Sequence, residues 1–206
     1  MSVQSIMAMG PVIPVVIIEN IDDAIPLADA LIEGGIGTVE ITLRSAAALK
    51  AIALISKERP DLTIGAGTVL NPLQMREVQE AGADFVVSPG VYPDLLKSAR
   101  DDGVIFLPGA TTASEMMLLL ANGITTMKFF PAVSAGGPGY LEALASPLAD
   151  VKFCPTGGIT AENAMDWLSL PNVQCVGGSW VAPKNMLAKG DFKGITANAK
   201  TCSALS

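Results

Sequence analysis

Apolar runs of strand length alternate with helical patterns along the whole chain at a spacing of roughly 20 to 25 residues, which is the rhythm of βα units feeding a parallel sheet. Eight such units can be counted. The predicted strands are 12–18, 38–43, 63–69, 84–89, 104–108, 126–131, 151–155 and 173–178, and the predicted helices are 22–33, 45–57, 72–81, 93–102, 113–121, 140–148, 161–169 and 183–188. Pro72 and Pro93 suit a first helical turn, while Gly34, Gly82, Gly103 and Gly123 fall where helices end. A complete set of eight units in 206 residues predicts an α/β fold, a single (β/α)8 TIM barrel over 1–206 with short loops. Segment 2–9 is then an extra N-terminal helix over the barrel bottom and 191–205 a C-terminal helix. An open doubly wound sheet would show the same alternation. The completeness of the set favours the barrel.

The chain is half hydrophobic, 16% charged and carries a formal net charge of -7 with no Lys/Arg cluster, which argues against nucleic acid or an anionic membrane as partner. An anionic ligand must therefore be held by a few local donors. The apolar stretch 12–18 is interrupted by Pro14 and ends at Glu19, too short for a membrane span, and no targeting segment is read at the N-terminus. Cys154, Cys175 and Cys202 are odd in number and lack metal-ligand spacing, pointing to reduced thiols in a cytoplasmic protein. The chain contains no histidine, so no Ser-His-Asp or Cys-His system and no imidazole ligand for zinc can be built. Acid–base work falls to carboxylates, lysine or tyrosine.

In a barrel the active site lies at the C-terminal ends of the strands. Lys128 sits in the run Met127-Lys128-Phe129-Phe130-Pro131, and strand alternation puts Thr126, Lys128 and Phe130 on one face. If that face is enclosed, desolvation disfavours an ammonium, and a neutral amine is a nucleophile for carbonyl carbons. The other reading is a lysine whose stem packs on apolar surface while its head snorkels to water. Glu40, Thr42 and Arg44 share parity on the second strand, with Val39, Ile41 and Leu43 facing the helices. Glu40 is the acid–base candidate, the alternative being a structural acceptor for a hydroxyl or lysine. Arg44 suits a bidentate grip on a carboxylate, and Thr68, after Gly65-Ala66-Gly67, adds a hydroxyl donor. An ion pair between Glu40 and Arg44 is disfavoured because four strand residues span roughly 13 Å at about 3.3 Å each. Lys152 also sits among apolar neighbours, but at the beginning of its strand, and is given no catalytic role.

Thr156-Gly157-Gly158 and Gly177-Gly178-Ser179 follow the seventh and eighth strands, where barrel phosphate sites commonly lie. Glycines let backbone N–H groups approach an anion, although either pair alone could serve only a tight turn. Gly136-Gly137-Pro138-Gly139 forms a further loop cluster, open between mobility and substrate contact.

The segments Gly-Pro-Val-Ile-Pro-Val at 10–15, Val-Glu-Ile-Thr-Leu-Arg at 39–44, Gly-Ala-Gly-Thr-Val-Leu-Asn-Pro at 65–72, Ser-Pro-Gly at 88–90, Lys-Phe-Phe-Pro-Ala at 128–132, Phe-Cys-Pro-Thr-Gly-Gly-Ile at 153–159 and Gly-Gly-Ser-Trp at 177–180 run nearly end to end and in order. Together they resemble the 2-keto-3-deoxy-6-phosphogluconate (KDPG) and 4-hydroxy-2-oxoglutarate (KHG) aldolases, class I enzymes that work through a lysine Schiff base. The resemblance implies that Lys128 is the Schiff-base lysine and Glu40 the general acid–base, acting through a bound water. It implies that Arg44 and Thr68 grip a carboxylate, that Pro89 and Phe130 shape the pyruvyl pocket, and that Thr156, Gly157, Gly158, Gly178 and Ser179 hold a phosphate. It further implies a homotrimer, no metal and no cofactor, and a small phosphorylated keto acid as the partner, placed in the Entner-Doudoroff pathway. Ser179 and the 153–158 pattern favour the gluconate over the galactonate epimer, while the loop 132–139 departs from the family pattern. A phosphate-binding isomerase or epimerase and a non-catalytic phospho-sugar sensor are the alternatives.

Overall fold

The computed structural model describes residues 1–205. Its strands are β1 (Val12–Val16), β2 (Thr38–Thr42), β3 (Thr63–Gly67), β4 (Phe85–Val87), β5 (Phe106–Leu107), β6 (Gly109–Ala110), β7 (Thr126–Phe129), β8 (Lys152–Pro155) and β9 (Val176–Gly178). All pairings between them are parallel. Six form a curled sheet in the order β5-β4-β3-β2-β1-β9, and β6-β7-β8 form a second sheet. The helices are α1 (Val3–Met7), α2 (Ala24–Glu33), α3 (Ala48–Glu58), α4 (Pro72–Glu80), α5 (Pro93–Asp101), α6 (Ala113–Ala121), α7 (Gly137–Leu144), α8 (Ala164–Leu168), α9 (Lys184–Leu187) and α10 (Phe192–Ser203).

All eight predicted strands occur, with two local differences. The fifth is divided at Pro108, which has no N–H to give to a ladder. Its carbonyl still accepts from Lys128 N–H at 2.8 Å, as the chain passes from β5 of the first sheet to β6 of the second. The eighth is shortened to Val176–Gly178, because bridges Phe153–Val173 and Thr156–Gly177 set three residue steps on β8 against four on its partner. One extra residue on one side of a ladder is a bulge, and it interrupts regular pairing.

Helix boundaries follow local chemistry. Asn71 accepts from Gln74 N–H at 2.9 Å to cap α4, Asp191 caps α10 through Gly194 N–H at 3.0 Å, and Thr112 with Glu115 forms a reciprocal cap on α6. Gly82, Gly103 and Gly123 carry positive φ just after their helices, as read from the sequence. After α2 that conformation belongs to Gly35, not Gly34. Helix α7 starts three residues before the predicted 140, because Pro138 is accommodated in a first turn, and it stops at Leu144 ahead of Ser146-Pro147, where the residue before proline disfavours helix.

Two apolar layers result from strand alternation. Val39 and Ile41 of β2 and Met127 and Phe129 of β7 face the helices in the larger cluster. Behind β7, Phe129 stacks on Tyr140 of α7 at 5.6 Å and meets Trp167 of α8 at 6.3 Å. The opposite face carries a smaller cluster in which Ile13, Phe85, Val87, Leu107, Cys154 and Cys175 are covered by Ile6 and Met7 of α1. All three cysteines are free and buried. Cys175 is held well above the ordinary thiol range by its hydrogen bond with Cys154 and by burial.

The role of Gly34 is steric. A Cβ there would overlap Ala199 Cβ of α10, so the glycine lets α2 and α10 pack in direct contact. Gly34→Ala should therefore lower unfolding stability by about 1–3 kcal/mol through overpacking, a loss to be read from urea denaturation midpoints, with a smaller effect expected from Gly37→Ala, where an added Cβ meets nothing.

Candidate active site

Lys128 reaches the inner face of the curled strands because Met127 and Phe129, on either side of it, are anchored outward among the helices. Glu40 reaches the same face from β2, between outward-facing Val39 and Ile41. The two meet: Lys128 Nζ donates to Glu40 Oε1 at 3.0 Å and Oε2 at 3.1 Å, with only 5% and 4% of the residues exposed. The Phe130 ring centroid lies 5.6 Å from the same Nζ, within cation–π range. The enclosed setting expected of Lys128 is present, but the amine is paired with a carboxylate rather than standing alone in an apolar pocket. Lys152 behaves as expected of a strand start, donating its ammonium to the Pro171 carbonyl at 2.7 Å.

Room for this pair comes from a missing side chain. A Cβ on Gly67 of β3 would fall on Glu40 Oε1, and β2 pairs with β3 at Thr42–Gly67. Thr68 follows in the left-handed region, φ 61°, an uncommon and strained conformation for a β-branched residue. The hydroxyl of Thr42 donates to the Val16 carbonyl at 3.2 Å and accepts from Arg44 Nε at 3.1 Å. Arg44 is thus tethered to the strand, and its Nη groups have no hydrogen-bond partner among the described residues. Glu40 and Arg44 serve separate partners, as strand geometry required.

A cavity of about 340 Å³ is lined by Phe130, whose ring lies beside Lys128 Nζ, while Lys128 and Glu40 themselves stand behind its wall. Val15, which is in register with Glu40, Phe130 and Arg44 line one part of it. Thr156, Gly157, Gly158, Gly177 and Ser179 line another. Gly157 and Gly158 have φ of 105° and 79°, open to glycine and costly for other residues. The loop 132–139 is pinned rather than loose at its start: Ala132 N–H donates to Thr156 O at 2.8 Å and Val133 N–H to Gly157 O at 3.1 Å. Val133 packs where a Gly158 side chain would go.

Five residues singled out from the sequence are not among those lining this cavity: Lys128, Glu40, Thr68, Pro89 and Gly178. Gly178 lies under the Trp180 ring and its neighbour Gly177 lines the space instead, because β9 alternates faces at each residue. Thr68 and Pro89 stand at the ends of β3 and β4, Pro89 close to Gly109, whose absent side chain admits the Pro89 backbone. The sequence reading missed Ile17, Ile159, Ala182, Pro183 and Lys184, all of which line the cavity. None carries a local signal, since their place depends on the neighbouring loop rather than on their own.

Residues 3–198 match the family model described as KDPG and KHG aldolase. The chain belongs to this family. It is 47% identical to the KHG/KDPG aldolase of Escherichia coli K12 over 199 residues, 97% of this chain and 93% of that one. Its fold superposes with a TM-score of 0.96 on the KDPG aldolase of Legionella pneumophila, a structure with pyruvate captured at low pH as a covalent carbinolamine intermediate; identity is 43%, and 98% of each chain is covered. With the KDPG aldolase of Zymomonas mobilis ZM4, solved with 3-phosphoglycerate, the TM-score is 0.93 at 48% identity, covering 98% of this chain and 95% of that one. A buried lysine placed beside a carboxylate is an arrangement that stability alone does not favour.

Removing one member of a buried ion pair leaves the other uncompensated. Glu40→Leu should cost about 3 kcal/mol or more in unfolding free energy, whereas the double variant Glu40→Leu, Lys128→Met should regain most of that loss, as measured by a denaturant double-mutant cycle.

Proposed function

We propose that this protein cleaves 2-keto-3-deoxy-6-phosphogluconate reversibly to pyruvate and glyceraldehyde 3-phosphate through a Schiff base on Lys128. The observation that carries this reading is the buried contact between Lys128 Nζ and the Glu40 carboxylate, 3.0 Å apart beside a cavity lined by Arg44 and the glycine loops. Glu40 is the nearest acceptor for the proton that the amine must lose before it can attack. The neutral amine adds to the C2 carbonyl to form a carbinolamine, the state captured with pyruvate in the Legionella relative. Glu40 returns its proton to the carbinolamine hydroxyl, which leaves as water and gives an iminium ion that serves as the electron sink. Glu40 then takes the C4 hydroxyl proton, directly or through a water, the C3–C4 bond breaks, and its electron pair moves to the iminium to form an enamine. The aldehyde leaves, the enamine takes a proton at C3, and hydrolysis releases pyruvate and the free amine. Because Lys128 supplies the electron sink, this route draws on no metal or cofactor.

Arg44 is the carboxylate grip in this reading, with a planar fork whose Nη groups remain available. Thr68 adds a hydroxyl donor, and Pro89 and Phe130 bound the pyruvyl group. The phosphate rests against Thr156, Gly157, Gly158, Gly177 and Ser179 in this reading. The 3-phosphoglycerate bound by the Zymomonas relative resembles the phosphorylated three-carbon product. The Escherichia coli relative's name supports a second substrate, 4-hydroxy-2-oxoglutarate, cleaved to pyruvate and glyoxylate.

The two sheets are read here as arcs of one closed (β/α)8 barrel in a single domain. Continuity from β5 to β6 across Pro108 supports this at one seam, and the bridges Phe153–Val173 and Thr156–Gly177 support it at the other. A homotrimer is supported by exposed Leu70, Leu73, Met117 and Leu118, apolar side chains that an assembly would cover. No helix among the described residues is long and apolar enough to cross a membrane. A cytoplasmic setting is supported by the three free, buried thiols.

Borohydride reduction in the presence of pyruvate should leave a stable adduct on Lys128, located by peptide mass spectrometry; an adduct elsewhere, or none, would sink the mechanism. Lys128→Arg should abolish pyruvate release in a lactate dehydrogenase-coupled assay, a result that an isomerase or a sensor would not require. Glu40→Gln should lower kcat by about 100-fold or more while the carbonyl-binding residues remain in place.

A further inference from the structure

Lys184 stands on the wall between two cavities. It lines the candidate site together with Ser179, Gly157 and Gly158, and it lines a second space of about 350 Å³ with Glu19, Asn20 and Asp23. Its ammonium donates to Glu19 Oε1 at 2.8 Å, and Glu19 borders only the second space. Both side chains are well exposed, 61% and 70%. An ion pair so exposed is held weakly and exchanges partners readily. Arg44 and Lys184 are the two cationic side chains on the candidate-site wall, and Arg44 is tethered to Thr42. Without Lys184, that wall keeps a single cation, Arg44, held at Nε by Thr42, in a chain of net charge -7.

We propose that Lys184 is a specificity residue for phosphorylated substrates, leaving Glu19 to pair with the substrate phosphate when the site fills. Its flexible four-carbon stem and three rotatable donors suit a point charge that swings between two acceptors. The Glu19 carboxylate keeps the ammonium near the site and sets a competition that only a strongly charged anion wins. This inference rests on the aldolase reading of the same cavity.

The test compares wild type, Lys184→Met, Lys184→Arg and Glu19→Gln on 2-keto-3-deoxy-6-phosphogluconate and on the same sugar acid without its phosphate, reading pyruvate release. Lys184→Met should raise KM for the phosphorylated substrate by roughly threefold to tenfold with little change in kcat. Its loss in kcat/KM on the dephosphorylated acid should be smaller by a similar factor, and inorganic phosphate should become a weaker competitive inhibitor. Lys184→Arg should retain most of the discrimination, and Glu19→Gln should lower KM for the phosphorylated substrate. Borohydride trapping of pyruvate in each variant reports whether the fold and the reactive amine are intact. An equal loss on both substrates, or no loss, overturns the assignment of Lys184, and a KM that rises in Glu19→Gln overturns the exchange. A wild-type protein that cleaves neither acid overturns the aldolase reading itself.

Discussion

The contact between Lys128 and Glu40 joins β7 to β2 across the inside of the curled sheet, between residues 88 positions apart in the chain. Burying both charges costs more than an apolar pair of the same volume would, so the surroundings must hold them in close register to recover the attraction. The outward anchors do this. Phe129, gripped by Tyr140 and Trp167, and Val39 and Ile41, packed under the helices, leave Lys128 and Glu40 no direction but inward. The larger core thus sets the position of the Lys128 amine through the residues on either side of it.

Space inside the curl is governed by what several residues lack. Side chains at Gly65, Gly67, Gly109 and Gly177 would collide with Phe85, Glu40, the Pro89 backbone and Thr156, respectively. Small residues on the inner face admit one large or polar neighbour each, and the mouth of the sheet can then hold a carboxylate, an amine and a tethered guanidinium together. On the other side of the same face, α1 covers the apolar cluster of Ile13, Phe85, Val87 and Leu107 with Ile6 and Met7. One end of the interior is therefore closed by hydrocarbon, and the polar chemistry is left at the other.

Much of this could be read from residue order. Period-2 alternation in Met127-Lys128-Phe129 and Val39-Glu40-Ile41 is enough to send the two charged groups to one face, and prolines at 72 and 93 mark helix starts because their missing N–H costs nothing there. Other features depended on neighbours distant in sequence. Gly34 does end α2, but the positive φ falls on Gly35, and Gly34 also serves the approach of α10. Gly178 looked like a cavity residue, yet the bulge beside β8 and the alternation along β9 bring Gly177 to the wall and place Trp180 over Gly178. Lys184 carried no signal, because an exposed lysine on a four-residue helix is ordinary until Ser179 and Glu19 are seen beside it.

By itself the sequence determined the succession of strands and helices, the inward parity of Lys128, Glu40 and Thr42, and, through the absence of histidine, the exclusion of imidazole chemistry. These are local or compositional properties, set by the pleat of a strand and by which side chains exist. Only the tertiary structure decided that Lys128 is bonded to Glu40 rather than isolated among apolar groups, that Arg44 is held by Thr42, and which glycines line the cavity. Pairing of inner-face groups depends on the curl of the sheet and on the register between strands, and neither is written in any one segment.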